Sequence, residues 1–170
     1  MALRWKDIDF DKGIVRIERS VEQTRAGLRI KPPKTKSGRR NVAISPWLTA
    51  ELRAHRTRQN ERRLSLGLGR APDDSPVFAS WDGSIRSPHG VSQKFALAMK
   101  ALGIDCTLHG LRHSHVSQLI AGGVDVLTVS RRIGHASPSV TLDVYGHMFG
   151  DTDSKAAAVM EAAFAKVHGR

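Results

Sequence analysis

His109, Arg112 and His113 fall close together in a stretch that reads Leu-His-Gly-Leu-Arg-His-Ser-His. On a helix, positions i, i+3 and i+4 share one face, so this spacing sets a permanently charged, bidentate anion binder beside two imidazoles. That combination suits a phosphate whose oxygens gain charge in a transition state. The same pattern also fits a helix with solvated histidines, and the i, i+4 pair His109 and His113 has a zinc-helix spacing. Against a metal, no glutamate stands between the two histidines as in HExxH, and Arg112 would repel a cation. A second stretch, Gly134 to His147, holds the single tyrosine of the chain, Tyr145, with His135 before it and His147 after it. A phenol can attack phosphorus or carbonyl carbon once its charge is stabilised, although a lone helical tyrosine is more often a core or interface residue.

These groups need a scaffold, and the sequence predicts one of α+β type: a small antiparallel sheet followed by helices. Near the N-terminus the apolar residues alternate, Ile14, Val15 and Ile17, then Leu28 and Ile30, then Val42 and Ile44, between Gly- and Pro-containing stretches. Alternation of this kind marks strands. Lys31, Lys34, Lys36, Arg39 and Arg40 crowd around Pro32, Pro33 and Gly38, which reads as a positive hairpin or as a solvated loop rich in cations.

From Ser45 the pattern turns helical. Ser45-Pro46 is an N-cap with proline at the first helical position, followed by an apolar face of Trp47, Leu48, Leu52 and Leu64 and an arginine-rich face taken as solvated. Ser87-Pro88 repeats that start, with Val91, Phe95, Met99 and Leu102 behind it and Gly103 as the stop. Further helices are predicted from about Thr107 to Ile120, from Asp125 to Gly134, and from Ser137 to roughly Phe149. The last, alanine-rich, runs from about Ser154 to Val167, with Val159, Met160, Ala163, Phe164 and Val167 as its stripe.

With 170 residues, the expectation is one compact domain. There are 27 Lys and Arg against 16 Asp and Glu, a net charge of +11 that calls for an anionic partner, nucleic acid first and then acidic protein or anionic membrane. A single cysteine, Cys106, excludes an intramolecular disulfide and points to a reducing compartment. No apolar run is long enough for a membrane span, and charges near the N-terminus break any signal-peptide core, so a cytoplasmic protein without a membrane partner is expected.

Taken together, His109-x-x-Arg112-His113, then Ile133-Gly134-His135, then Thr141, Tyr145 and His147 resemble the signature of the tyrosine recombinases, the phage integrase family. Upstream, Leu3-x-Trp5-x-Asp7-Ile8-Asp9 resembles the family's approach to its sheet, and Lys34-Thr35-Lys36-Ser37-Gly38-Arg39-Arg40 its basic hairpin. The resemblance covers residues 1 to about 150 as a catalytic domain and leaves 151–170 as a C-terminal helix that contacts a neighbouring protomer or packs on its own domain. It implies a metal-free, cofactor-free transesterification on double-stranded DNA through a 3′-phosphotyrosyl intermediate, carried out by four protomers, in a bacterial or phage-encoded protein of a mobile element that sits at the nucleoid.

By residue, the resemblance implies that Tyr145 is the nucleophile, Arg112 holds the non-bridging oxygens, Lys34 protonates the leaving 5′-oxygen, His109 assists proton transfer and His135 hydrogen-bonds the phosphate. Lys34 is preferred over Lys36 because it precedes threonine in this hairpin. Lys36, Arg39 and Arg40 then contact DNA phosphates, which positions the duplex without reading it. His113 supports the site, and His147 joins it.

Family members carry another phosphate-binding arginine, in a Gly-x-Arg box shortly before the Leu-x-Trp-x-Asp stretch, and a separate helical DNA-clamping domain before that. Met1 falls just after the place of that box, and Arg4 lies in the wrong box to replace it. Losing one of two arginines costs a phosphoryl transition state on the order of several kcal/mol, so the expectation is an impaired or inactive chain as given, with weak, salt-sensitive binding. The alternative to a recombinase is a DNA-binding remnant that does not cut; a metal-dependent phosphoesterase is a third reading, but no carboxylate cluster supports it.

Overall fold

The structure is a computed structural model that describes residues 2–150 and 153–168. Strand β1 (Ile8–Asp9) pairs antiparallel with β2 (Ile14–Ile17), and β2 with β5 (Arg40–Ala43). Strands β3 (Ser20–Thr24) and β4 (Gly27–Lys31) form a separate hairpin. The single sheet expected from the alternation is therefore two. The hairpin turn lies at residues 25 and 26, and the basic stretch is instead the connection from β4 to β5. It is folded by a 3-10 turn (Lys36–Gly38) whose start is capped by Thr35, with its side-chain oxygen accepting from the Gly38 amide at 3.1 Å.

Six helices follow: α1 (Pro46–Ser65), α2 (Pro88–Ala101), α3 (Leu108–Ala121), α4 (Val126–Ile133), α5 (Pro138–Tyr145) and α6 (Asp153–His168). Of the helix starts read from the sequence, four are capped by side chains, whereas Ser137, ahead of Pro138, makes no cap hydrogen bond. Ser45, Ser87, Thr107 and Asp125 each accept a hydrogen bond from the backbone amide three residues on, satisfying one of the donors a helix start leaves free. Helix α5 stops at Tyr145, short of the expected end near Phe149, and the chain tightens into a 3-10 turn (Gly146–Met148).

Two apolar clusters hold the molecule. Trp5, Ile8, Val15, Leu52, Ala71 and Val77 form one beneath the three-stranded sheet and α1; Val116, Ile120, Val129, Ile133 and Tyr145 form the other among α3, α4 and α5. Of the face expected on α1, Leu52 is buried while Trp47 and Leu64 are exposed. Helix α2 buries none of its residues, and Leu102 just after it is exposed too. The arginine face of α1 is more than solvated. Arg53, Arg56 and Arg62 lie over the rings of Phe10, Trp5 and Trp81, with 4.7, 5.4 and 4.2 Å from guanidinium carbon to ring centre. On α6, Val159, Met160 and Phe164 are exposed, whereas the side chain of Val167 lies outside the described residues. Among the described residues no helix is long and apolar enough to cross a membrane.

Candidate active site

The end of α4 organises the site. The last carbonyls of any helix lack partners and carry the negative end of its dipole, so they attract cations. Here Arg112, from α3, donates through Nη2 to the Ile133 carbonyl at 2.7 Å, and Arg40, from β5, donates through Nε to the Arg132 carbonyl at 2.8 Å. A second Arg40 nitrogen, Nη1, donates to Gly38 at 3.1 Å. Arg132 returns the connection by donating to the Ala43 carbonyl at 2.9 Å, so helix and sheet are tied in both directions.

Gly134 makes this convergence possible. Its φ of +74° is the left-handed conformation that closes α4, which glycine adopts without the clash of a side chain. A Cβ there would also sit 2.6 Å from Arg40 Nη1 and 3.1 Å from the Ser37 carbonyl. Gly134→Ala should therefore destabilise the fold by about 1–3 kcal/mol and push Arg40 off its carbonyl. Gly123→Ala is the control: it has a similar φ of +79° but open space around the added carbon, so it bears only the backbone strain. Denaturant melts should show the larger loss at Gly134; equal losses would mean that Arg40 moves aside freely.

Arg40 and Arg112 repel one another, and burial first, then the Arg112 charge, lowers the pKa of Arg40. Among the described residues no carboxylate forms an ion pair with either. Two guanidiniums that remain charged at any accessible pH thus share a site with no carboxylate partner among the described residues. His135 stands beside them, with Nδ1 2.9 Å from the hydroxyl of the fully buried Thr141. Burial, and then Arg112, pulls its pKa below the usual 6.5, which favours the neutral ring. A recess of about 320 Å³ opens here, walled by Ser37, Arg39, Arg40, Arg131, His135 and the start of α5.

Tyr145 ends the helix whose start walls that recess. Its ring is buried in the second apolar cluster at 6% exposure, and its hydroxyl lies 2.5 Å from Nδ1 of His113. His109, one turn earlier on α3, meets His113 edge to face, with ring centres 4.5 Å apart and planes at 87°.

Of the residues singled out from the sequence, the fold thus brings His109, His113 and Tyr145 into one contact chain, and Arg112, Arg40 and His135 into one electrostatic group. Arg39 lines the adjoining recess. Lys34 and Lys36 are exposed, as is His147 on the 3-10 turn after Tyr145, and no hydrogen bond among the described residues ties them to Tyr145. Sequence reasoning missed three residues: Thr141 as the partner of His135, Arg131 as a wall of the recess, and Arg132 as the strut to β5. The basic pair at the end of α4 was a signal for the last two, since cations favour that end of a helix.

Residues 1–150 match the phage integrase family. The chain belongs to that family. It is a tyrosine recombinase catalytic domain, and similar proteins occur on mobile elements. It is 33% identical over 158 residues to the ICEBs1 integrase of Bacillus subtilis (strain 168), covering 92% of this chain and 42% of that protein. It is 28% identical over 176 residues to a "Tyrosine recombinase XerC-like" protein of Caldanaerobacter subterraneus subsp. tengcongensis, covering 96% and 45%. The chain thus spans less than half the length of these relatives. Among solved structures, the Tn1549 transposon integrase in complex with transposon right end DNA superposes with a TM-score of 0.72 at 20% identity, over 95% of this chain and 52% of that one. XerA recombinase gives 0.58 at 18%, over 96% and 50%. These likenesses establish the shared fold: two small antiparallel sheets, then six helices.

The histidines of this integrase-family chain bear on its acid stability. His115, beside Arg132, is held below the usual 6.5 by burial first and by that charge second, as His135 is by burial and Arg112. Both rings bind protons more weakly folded than unfolded, so their stability contribution is present above pH 6.5 and is lost as pH falls from there toward the depressed folded values. The thermal midpoint should drop on acidification from pH 7 to 5.5, and less steeply in a His115→Asn, His135→Asn double variant. An equal slope in both would show that carboxylates set the acid limit.

Proposed function

We propose that this chain cuts and rejoins double-stranded DNA by transesterification, with Tyr145 forming a 3′-phosphotyrosyl bond. The observation that carries the reading is the pair Arg40 and Arg112, which has no carboxylate partner among the described residues, with Arg112 next in the chain to the His113 that meets the single tyrosine, because a phosphodiester supplies negative charge to such a pair. Arg112 holds the non-bridging oxygens, and its bond to Ile133 fixes the guanidinium before DNA arrives, so little reorganisation is needed in the transition state. With Thr141 donating to Nδ1, neutral His135 carries its proton on Nε2 and gives it to a phosphate oxygen. Lys34 delivers a proton to the leaving 5′-oxygen and His109 assists proton transfer. Arg39, Lys36 and His147 contact the DNA backbone. Since the phosphotyrosine conserves the energy of the broken bond, no nucleotide cofactor is required.

Residues 1–150 form the catalytic domain in this reading, and residues 151–170 a contact segment for a neighbouring protomer in a four-protomer complex. The exposed Val159, Met160 and Phe164 of α6 support that use. The protein acts at the nucleoid of a bacterial cell, on the mobile element that encodes it. That the Tn1549 integrase was solved with DNA supports the substrate class.

One observation favours a DNA-binding remnant that does not cut: Lys34, the proton donor, is exposed, and no hydrogen bond among the described residues ties it to the Tyr145 cluster. A single experiment separates the two. Incubation of the chain, extended upstream to carry the Gly-x-Arg box, with a pool of duplexes of randomised core sequence, followed by denaturing electrophoresis, should give a protein band carrying covalent DNA, and the released strand should end in a free 5′-hydroxyl. Binding without any covalent band would favour the remnant.

A further inference from the structure

We propose that His113 is the base that takes the proton from Tyr145 as it attacks DNA, an assignment that rests on the transesterification reading above and deepens it. A phenol has a reference pKa near 10, so at neutral pH a tyrosine nucleophile must lose a proton as it reacts. Tyr145 is too buried to pass that proton readily to bulk water. Nδ1 of His113 lies 2.5 Å from its oxygen, a contact short enough for direct transfer, and no other polar atom among the described residues has a hydrogen bond to that hydroxyl.

The other histidines are placed differently. His135 has its Nδ1 occupied by Thr141. His109 touches the ring of His113, makes no hydrogen bond to the tyrosine among the described residues, and is exposed. His113 therefore accepts at Nδ1 while its Nε2 carries the proton of the neutral ring. In the reaction the bond from Tyr145 Oη to phosphorus forms and the bond from phosphorus to the 5′-oxygen breaks. The phenolic proton passes to His113 Nδ1, giving an imidazolium, and the leaving oxygen takes its proton from the Lys34 ammonium. On religation the imidazolium returns its proton to the departing phenolate. His109, at the edge of the pair, completes a path to water and assists at one remove.

The test exploits the presence of one tyrosine in the chain. Biosynthetic replacement of tyrosine by 3,5-difluorotyrosine changes position 145 alone and yields a phenol acidic enough to need no base. His113→Asn keeps a hydrogen-bond acceptor near the place of Nδ1 but cannot take a proton. With the randomised duplex pool as probe, His113→Asn should slow covalent capture by about 10²–10³-fold, and difluorotyrosine should restore most of that loss. Capture by His113→Asn within about threefold of the parent rate overturns the proposal, as does a loss that difluorotyrosine leaves unrepaired, which would make His113 a positioning residue. If the parent chain, extended upstream to carry the Gly-x-Arg box as all these variants are, gives no adduct, the transesterification reading fails, a result distinct from losing the rescue alone. Nitrogen NMR of the free chain offers an arm that needs no DNA: His113 should carry its neutral-state proton on Nε2, and a proton found on Nδ1 overturns the proposal.

Discussion

In the chain extended upstream to carry the Gly-x-Arg box, Tyr145→Phe is expected to abolish the covalent DNA adduct while leaving duplex binding within about twofold, since the phenol contributes chemistry rather than backbone contacts. Phenylalanine keeps the ring that packs with Val116, Ile120, Val129 and Ile133, so the second apolar cluster survives. What disappears is one hydrogen bond to His113, worth about 0.5–1.5 kcal/mol. Tyr145→Ala would be the wrong experiment, because emptying a site at 6% exposure costs about 3–5 kcal/mol and confuses loss of fold with loss of chemistry. Adduct yield on denaturing gels and binding by filter retention measure the two quantities separately. A persistent adduct in the phenylalanine variant would sink the assignment, since no other tyrosine could replace it.

Arg112→Ala has the second-largest expected effect. It removes the charge that would meet the phosphate and also the donor on the Ile133 carbonyl, at the join between α3 and α4. Covalent capture should fall by about 10²–10³-fold, the loss typical for one preorganised donor aimed at developing negative charge. Arg112→Lys keeps the charge yet loses the planar fork, and it should recover little, because an ammonium offers no rigid pair of parallel donors to the phosphate while it also bonds Ile133. A consequence independent of DNA follows from the electrostatics. Arg112 is one of the two causes that hold His135 low, so in the alanine variant the His135 pKa should rise toward 6.5, with burial keeping it from arriving there. Proton NMR titration reads this directly. An unmoved His135 would show that the two side chains do not share a site, and the phosphate-binding group built on them would have to be redrawn.

Local rules in this chain were legible because they involve neighbours in sequence. Ser45, Ser87, Thr107 and Asp125 announce helix starts through side chains that bond amides three residues away, and Gly134 announces a stop through its left-handed φ. The shared face of His109 and His113 follows from helical pitch alone, and their rings do meet. The division of the strands into two sheets could not be read the same way. Alternation assigns each strand a buried face, but pairing is decided by which edges find partners, and here β5 returns to β2 across an intervening hairpin. The exposed leucines and tryptophan on α1 show a related limit, since apolar periodicity says which face could be buried and not whether anything covers it.

By itself the sequence determined the element types, the cationic character and a set of candidate groups in a recognisable order. Those follow from short-range sterics, composition and spacing, which need no knowledge of distant contacts. Only the tertiary structure decided how the candidates divide. Arg40, read as a phosphate contact, also spends two of its nitrogens on the carbonyls of Gly38 and Arg132 and crowds against Arg112. His113, read as support, is the histidine that meets the tyrosine. The physical reason is the same in both cases: unpaired carbonyls at the end of α4 gather arginines from elements far apart in sequence, and the packing of α3 against α5 selects which imidazole nitrogen reaches the phenol.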